Sequence, residues 1–177
     1  DPDGNALSYV WDLDNNGSFE TTGQSVSFSA ATLDGPGTST IRVQVTDTGG
    51  LSAISQGQVS VLNAAPTAGT ITAPSNPLQV NTVVNVSAGF TDAGILDTHT
   101  ALWDWDDGGT SAGTVNETNG SGTVSGHHTF TTPGIYTLSL TIQDDDGAIA
   151  QAQFRSLVVY DPAGGFVTGG GWINSPA

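Results

Sequence analysis

Short acidic segments hold most of the side chains in this chain that could do chemistry. In each half, one such segment precedes a Trp-Asp pair and another ends a later alternating stretch. The aspartates concerned are Asp1, Asp3 and Asp47 in the first half, and Asp92, Asp97, Asp144, Asp145 and Asp146 in the second. Ca²⁺ takes about six to eight oxygen ligands in flexible geometry. The residues predict a Ca²⁺ site if each set converges in space, although no EF-hand spacing is present. The alternative is a set of solvated turn aspartates.

Other reactive groups form no constellation typical of catalysis. The chain contains no cysteine, which excludes thiol nucleophiles, thiolate metal sites and disulfides. No Gly-x-Ser-x-Gly sequence is present to expose a nucleophilic serine. His127 and His128 are neighbours that would face opposite sides of a strand, and His99 is expected alone in a loop. A zinc site is therefore not predicted. We expect a protein that is not an enzyme.

Charge excludes two classes of partner. The 17 acidic residues stand against only two basic ones, and the formal net charge is −15. Such a surface repels phosphate groups, so we expect neither nucleic acid nor an anionic membrane as a partner. No apolar run is long enough to insert into a membrane. The acidity fits calcium binding, a salty habitat or solubility equally well.

One phrase occurs twice and divides the chain. Trp-Asp-Leu-Asp-Asn-Asn-Gly at 11–17 returns as Trp-Asp-Trp-Asp-Asp-Gly-Gly at 103–109. An alternating stretch that ends in an acidic turn follows each copy, at 41–50 and 138–147. A repeat of about 90 residues is the size of a small β-sandwich. Because the chain also has 24 glycines and no helical pattern, we predict an all-β protein built from two similar units.

The Trp-Asp pairs are expected to be structural. Trp11 and Trp103 are predicted to lie mid-strand on the inner face, where each fills a core. Asp12 and Asp104 then point the other way and are expected to hydrogen-bond the backbone of the following turn. An acid–base pair with a neighbour such as Asp14 is the alternative, but adjacent turn aspartates without a cleft rarely do that work.

The combined landmarks resemble the polycystic-kidney-disease-type (PKD) repeat. Family copies read Asp-Pro-Asp-Gly, then Trp-Asp-Phe-Gly-Asp-Gly, then His-x-Tyr and Gly-x-Tyr before an acidic turn. The matching segments are 1–4 and 11–14 in the first half, and 103–108, 128–130, 134–136 and 144–147 in the second. The first half departs from the pattern, since it lacks His-x-Tyr and has Asn-Asn-Gly at 15–17.

The resemblance implies tandem immunoglobulin-like β-sandwiches, in which His128 and Tyr136 pack and hydrogen-bond. In such sandwiches the loop before the Trp strand and the hairpin between the last two strands lie at the same end. That would bring Asp1 and Asp3 near Asp47 in the first half. It would bring the second-half aspartates together as well, and PKD-type repeats of some secreted enzymes bind calcium in this region.

Three segments are predicted along the chain. Residues 1–64 form a partial sandwich that lacks its opening strands, 65–161 form a complete one, and 162–177 begin a further element. The chain is either a fragment, or a strand from a neighbouring chain fills the gap by β-augmentation. The apolar, glycine-rich residues 165–177 are the candidate donor strand. They are also similar to a region that follows such repeats in large bacterial secreted proteins.

The function expected from these features is a non-catalytic extracellular module, either structural or adhesive, and calcium is expected to stiffen it. It would be secreted or lie on a surface, most simply in a bacterium, and contact other domains or neighbouring protomers. One alternative is an accessory domain of a secreted hydrolase that binds a polysaccharide or protein polymer, with Trp105 as the best exposed aromatic. The other is a filament protomer joined by strand exchange.

Overall fold

Every regular element of the structure, a computed structural model that describes residues 4–164, is a β-strand. The all-β prediction is confirmed. The strands are β1 (Leu7–Asp12), β2 (Thr21–Thr22), β3 (Gly37–Asp47), β4 (Ser52–Val61), β5 (Thr67–Thr72), β6 (Leu78–Gln79), β7 (Val83–Thr91), β8 (His99–Asp104), β9 (Thr110–Ala112), β10 (Thr114–Thr118), β11 (Ser121–Thr129), β12 (Gly134–Asp144) and β13 (Ile149–Tyr160).

Residues 7–61 form a single antiparallel sheet in the order β2-β1-β3-β4. Trp11 pairs with Val43, so alternate residues of β1 and β3 share one apolar face. Trp11 is half-buried on this face, and its indole N–H donates to the carbonyl of Gly23 at 2.8 Å. The core of this half is therefore less enclosed than a complete sandwich would make it.

Residues 67–160 form two sheets with a core between them. One sheet has the order β10-β11-β7-β5, and the other has the order β6-β13-β12-β8-β9. The pairs are antiparallel except for β13 with β6, which is parallel. This arrangement, with the Trp strand β8 beside β12, is that of an immunoglobulin-like sandwich. The predicted fold class is confirmed.

Strict alternation in the sequence builds the core of the sandwich. Along β7 every second residue is buried, including Val84, Val86 and Phe90. Trp103 and Trp105 are fully buried, and their rings stack with centroids 5.7 Å apart. The remaining core residues are Ile71, Ala88, Val124, Phe130, Tyr136, Leu138, Leu140, Ile142, Leu157 and Val159.

A tyrosine corner fixes the chain where it enters β12. The hydroxyl of Tyr136 donates to the carbonyl of Thr132 at 2.7 Å, and its ring stacks on Phe130. Immunoglobulin-like sandwiches use this contact at the start of the corresponding strand. Tyr136 therefore lies in a structural position.

Two segments form strands where the local sequence does not predict them. Residues 110–126 are rich in Gly, Ser, Thr and Asn, yet they form β9, β10 and part of β11, because Val124 turns inward and is completely buried. His99 was expected in a loop. It is instead the first residue of β8 and is buried, because two carboxylates enclose its ring.

Candidate metal centre at the junction of the two halves

Two connections of the sandwich meet at the end that faces the first half. They are the loop between β7 and β8 and the turn between β12 and β13. The turn is closed by Asp144, whose carboxylate accepts the N–H of Ala148 at 2.7 Å. The loop is closed by Asp92, whose carboxylate accepts the N–H of Gly94 at 2.8 Å. Both aspartates are used locally to shape a turn and still present oxygen atoms to one another.

A cluster of carboxylates forms where these two connections meet. Asp92, Asp97 and Asp144 each offer one oxygen, and these atoms all lie within 4.8 Å of one another. Asp144 and Asp97 are buried, and Asp92 is half-buried. The sequence predicted that these three residues meet at one end of the second sandwich, and the structure places them together.

Asp97 is the centre of the cluster. Its side chain is buried, and neither carboxylate oxygen has a hydrogen-bond partner in the protein. Gly94 lies directly over this carboxylate, where a larger residue would collide with it. Burial, followed by the charges of Asp92, Asp34 and Asp145, raises the pKa of Asp97 to about 6. The fold thus holds an acceptor group against other acceptors with no donor to satisfy it.

The first half and the linker add oxygen atoms that the sequence did not predict. Asp34, in the loop before β3, forms a second group with Asp97 and Asp146, again with ligand atoms within 4.8 Å of one another. Asn63, in the linker, donates its amide to Asp144 at 3.0 Å, and its buried Oδ1 has no hydrogen-bond partner. Partial desolvation, followed by the charge of Asp34, raises the pKa of Asp146. No repeat or motif marks either Asp34 or Asn63, so sequence reasoning missed both.

His99 positions the loop behind the cluster. Its ring lies between Asp92, 3.2 Å from Nε2, and Glu117, 2.6 Å from Nδ1, while its backbone N–H donates to Glu117 at 3.0 Å. Phe90 covers the ring. Burial disfavours the charged ring, but the hydrogen bonds to Asp92 and Glu117 outweigh this and raise the pKa of His99. The imidazole therefore fixes one oxygen of Asp92 and is not free to act as a base.

The other predicted metal ligands have different surroundings. Asp145 accepts the N–H of Thr98 at 3.1 Å and ties the turn to the loop. Asp47 accepts the N–H of Leu51 at 2.9 Å within its own turn. Asp1 and Asp3 lie outside the described residues, so the convergence predicted for the first half stays a prediction.

A third acidic group differs from these two, because hydrogen-bond donors satisfy its carboxylates. Asp12, Asp14 and Glu20 also bring oxygen atoms within 4.8 Å of one another. The completely buried carboxylate of Asp12, however, accepts the N–H groups of Asn16 and Gly17, both at 3.1 Å. Asn16 also donates to Asp14 and Glu20, and the guanidinium of Arg42 lies 3.8 Å from Asp12. Donors already satisfy this cluster, in contrast to Asp97.

The remaining candidate residues serve packing. His128 stacks on Trp105 and pairs with Asp107 at 2.7 Å. Asp104 accepts the N–H of Asp106 at 3.0 Å in the turn after β8. Trp105 is completely buried and its indole N–H donates to Ser111. The expectation that Trp105 offers an exposed platform for sugars is therefore wrong, because alternation keeps it on the core face beside Trp103.

The junction cluster fits a hard divalent cation. Two oxygens on opposite sides of one Ca²⁺ are separated by about 5 Å, since each Ca–O bond is about 2.3–2.6 Å. The spacing of both groups is compatible with that limit. Carboxylates with an amide oxygen are the ligands that Ca²⁺ prefers. A cation here would satisfy the orphaned oxygens of Asp97 and offset the repulsion between carboxylates.

The fold and these contacts define an immunoglobulin-like module, and the family follows from a match to residues 63–159. That match is to the PKD domain, and the chain belongs to the PKD domain family. None of the described residues lies in a helix of the length and apolarity needed to cross a lipid bilayer.

The chain is similar to solved structures at low sequence identity. The PKD domain of an M14-like peptidase from a Thermoplasmatales archaeon is 21% identical, with a TM-score of 0.48, and the match covers 55% of this chain and 99% of that one. The fibronectin(III)-like modules of Clostridium thermocellum CbhA are 13% identical, with a TM-score of 0.39, over 89% of this chain and 80% of that one. Curated proteins give no match.

Proposed function

We propose that this chain is an extracellular structural module that acts as a spacer or adhesive segment, and that Ca²⁺ stiffens it. Membership of the PKD domain family supports the non-catalytic part. Two side chains that could have served a ligand, Trp105 and His128, are used in packing. The binding of Ca²⁺ is the more specific part of the proposal.

The observation that carries the calcium proposal is the carboxylate of Asp97. A buried charge with no donor costs the folded state several kcal/mol unless it is protonated or paired. Both of its oxygens lack a partner, and acidic neighbours surround it. Bound Ca²⁺ would turn this unfavourable arrangement into a favourable one and would immobilise the loop between β7 and β8.

Calorimetry tests this proposal on the whole chain. We expect heat of Ca²⁺ binding, and a melting temperature that is higher in calcium than in chelator. A ligand at about 100 times its dissociation constant adds about 2.7 kcal/mol to the free energy of unfolding. Absence of binding heat together with an unchanged melting temperature would refute calcium binding. The Asp14→Asn variant is the matched control, because that carboxylate belongs to the satisfied cluster and its loss should leave the calcium response unchanged.

The extracellular location has its own test. Antibodies raised against this chain should label intact cells of the source organism, or should detect the protein in its culture medium. Protease added to intact cells should then remove the signal. Labelling that requires permeabilised cells would contradict the location.

Strand exchange is a second candidate because one edge of the first sheet is open. Within the described residues β4 pairs only with β3, and its ten residues include no charged side chain and no proline. Such an edge favours addition of another strand. The proposed donor, residues 165–177, lies outside the described residues. If it is the donor, its deletion abolishes assembly in light scattering, and assemblies that persist after the deletion exclude that donor.

A further inference from the structure

We infer that the first half also ligates the calcium ion of the second half, through Asp34, so that a divalent cation clamps the two halves together. This inference rests on the calcium binding proposed above. It adds a ligand from a different sheet system, and therefore gives the ion a role in the geometry of the whole chain.

The geometry at Asp97 carries the inference. Asp97 belongs to both groups of converging carboxylates, one with Asp92 and Asp144 and the other with Asp34 and Asp146. Because its orphaned carboxylate is common to the two groups, an ion held between Asp97, Asp34 and Asp146 would take ligands from both halves. Asp34 is the member of this set that comes from the first half.

Backbone contacts keep Asp34 near this position. The loop that carries it closes on the linker, where a side chain at Gly35 would collide with the carbonyl of Leu62. Asn63 follows at once and reaches Asp144 in the second half. The linker and the Asp34 loop therefore approach the acidic end of the sandwich as one connected surface.

Among the described strands, none joins the sheet of the first half, residues 7–61, to a sheet of the second half, residues 67–160. A cavity lies between the halves, bounded by Leu33, Leu62, Gly94 and Asp97. Without a cation, Asp34, Asp97 and Asp146 bring three negative charges to this loosely packed junction. An ion would replace that repulsion with shared ligation.

The consequence is a junction whose stiffness depends on divalent cation. With calcium, the shared ion holds the halves in one relative arrangement. Without calcium, carboxylate repulsion and the lack of strand pairing leave the linker as a hinge. A spacer built in this way is extended and stiff only where the calcium concentration is high enough.

Distance measurements between spin labels test the clamp. The chain has no cysteine, so Gln56→Cys in β4 and Gln153→Cys in β13 place one label on an exposed site of each half. We expect the distance distribution to narrow when calcium is added and to stay broad in chelator. In the Asp34→Asn background it should stay broad at calcium concentrations that saturate the parent, while Asp14→Asn should behave like the parent.

Calcium affinity separates this inference from the proposal on which it rests. We expect Asp34→Asn to weaken calcium binding by roughly tenfold or more, since even the loss of an outer-shell partner costs 10–100-fold. Equal affinity and equal narrowing in the Asp34→Asn variant would overturn the clamp and leave calcium binding by the second half intact. If the parent chain binds no calcium, both ideas fail together.

Discussion

A buried side chain whose polar atoms have no partner is a cost that a stable fold rarely retains without a reason. Asp97 is such a residue, because both of its carboxylate oxygens are buried and unsatisfied. Asp12 is buried more completely, but two backbone N–H groups and a nearby guanidinium satisfy it. Burial of an aspartate therefore does not by itself indicate a ligand. The missing donors distinguish Asp97.

Replacing Asp97 with asparagine should have opposite effects with and without calcium. In chelator, Asp97→Asn removes an unpaired charge and should raise the free energy of unfolding by roughly 1–3 kcal/mol. In calcium, it should lack the increase that the parent shows. Thermal denaturation in both buffers measures the difference. Asp14→Asn makes the same change in net charge and should move the melting temperature little in either buffer; a loss of stability in chelator for Asp97→Asn would show that its carboxylate is paired.

A second prediction concerns the pKa of Asp107. Burial opposes ionisation of this carboxylate, but its hydrogen bonds to His128 and to the N–H of Gly109 outweigh burial and lower its pKa. A lowered pKa adds to the free energy of unfolding at pH values above the ordinary pKa of aspartate. This stability is lost as the pH falls through the pKa that Asp107 has in the folded state. In His128→Ala, the pKa of Asp107 should rise towards its ordinary value in a carboxyl NMR titration. His127→Ala, on the exposed opposite face, should leave it unchanged, and an unchanged value in His128→Ala would contradict the pairing.

At the scale of the elements, β8 and β11 pack closely because Trp103 of β8 lies against Gly126 of β11. A β-carbon added at Gly126 in β11 would lie 2.5 Å from the indole nitrogen of Trp103. The glycine is required there because the indole occupies the space that a side chain would take. The tryptophan of the repeated phrase thus dictates the residue opposite it on the facing sheet.

This fit predicts the outcome of two Gly→Ala substitutions. Gly126→Ala should lower the free energy of unfolding by about 1–3 kcal/mol, because overpacking displaces the indole of Trp103. Gly57→Ala in β4 is the control, since its nearest atom, on Ile41, would lie 4.0 Å away. That variant should be neutral or gain up to about 1 kcal/mol. Denaturant titration measures both, and an equal effect at the two sites would contradict the close fit of Gly126.

Period-two patterns were sufficient to predict the fold of the second half. The alternating stretch that begins at 138 and the repeated Trp-Asp phrase predict strands with one buried face, and they lie in β12 and β8. Strands in the polar residues 110–126 are harder to predict from the sequence, because Gly, Ser, Thr and Asn favour turns locally. Their strand pairing depends on the buried Val124, which is a tertiary contact. Likewise, only the folded chain shows that Trp103 and Trp105 both fit in the core.

For the whole molecule, the sequence predicted part of the acidic site. Turn positions and the order of strands placed Asp92, Asp97 and Asp144 at one end of a sandwich. Asp34 and Asn63 join this set only through the approach of the first half and the linker. No local pattern encodes that approach. The structure, and not the sequence, therefore shows that both halves contribute residues to this acidic region.

The net charge of −15 bears on how the two halves associate at this junction. Repulsion between like charges favours separation of the halves, and it is weakest where a cation is bound. On the proposed clamp, calcium would offset this repulsion at the junction and hold the two halves together.

A crystal structure of the chain grown with calcium chloride tests this account most directly. The account predicts one ion whose ligands include oxygens of Asp34, Asp97 and Asp146 at about 2.3–2.6 Å. An ordered junction in which Asp34 points away from Asp97, and in which protein donors satisfy Asp97 without any ion, would contradict it.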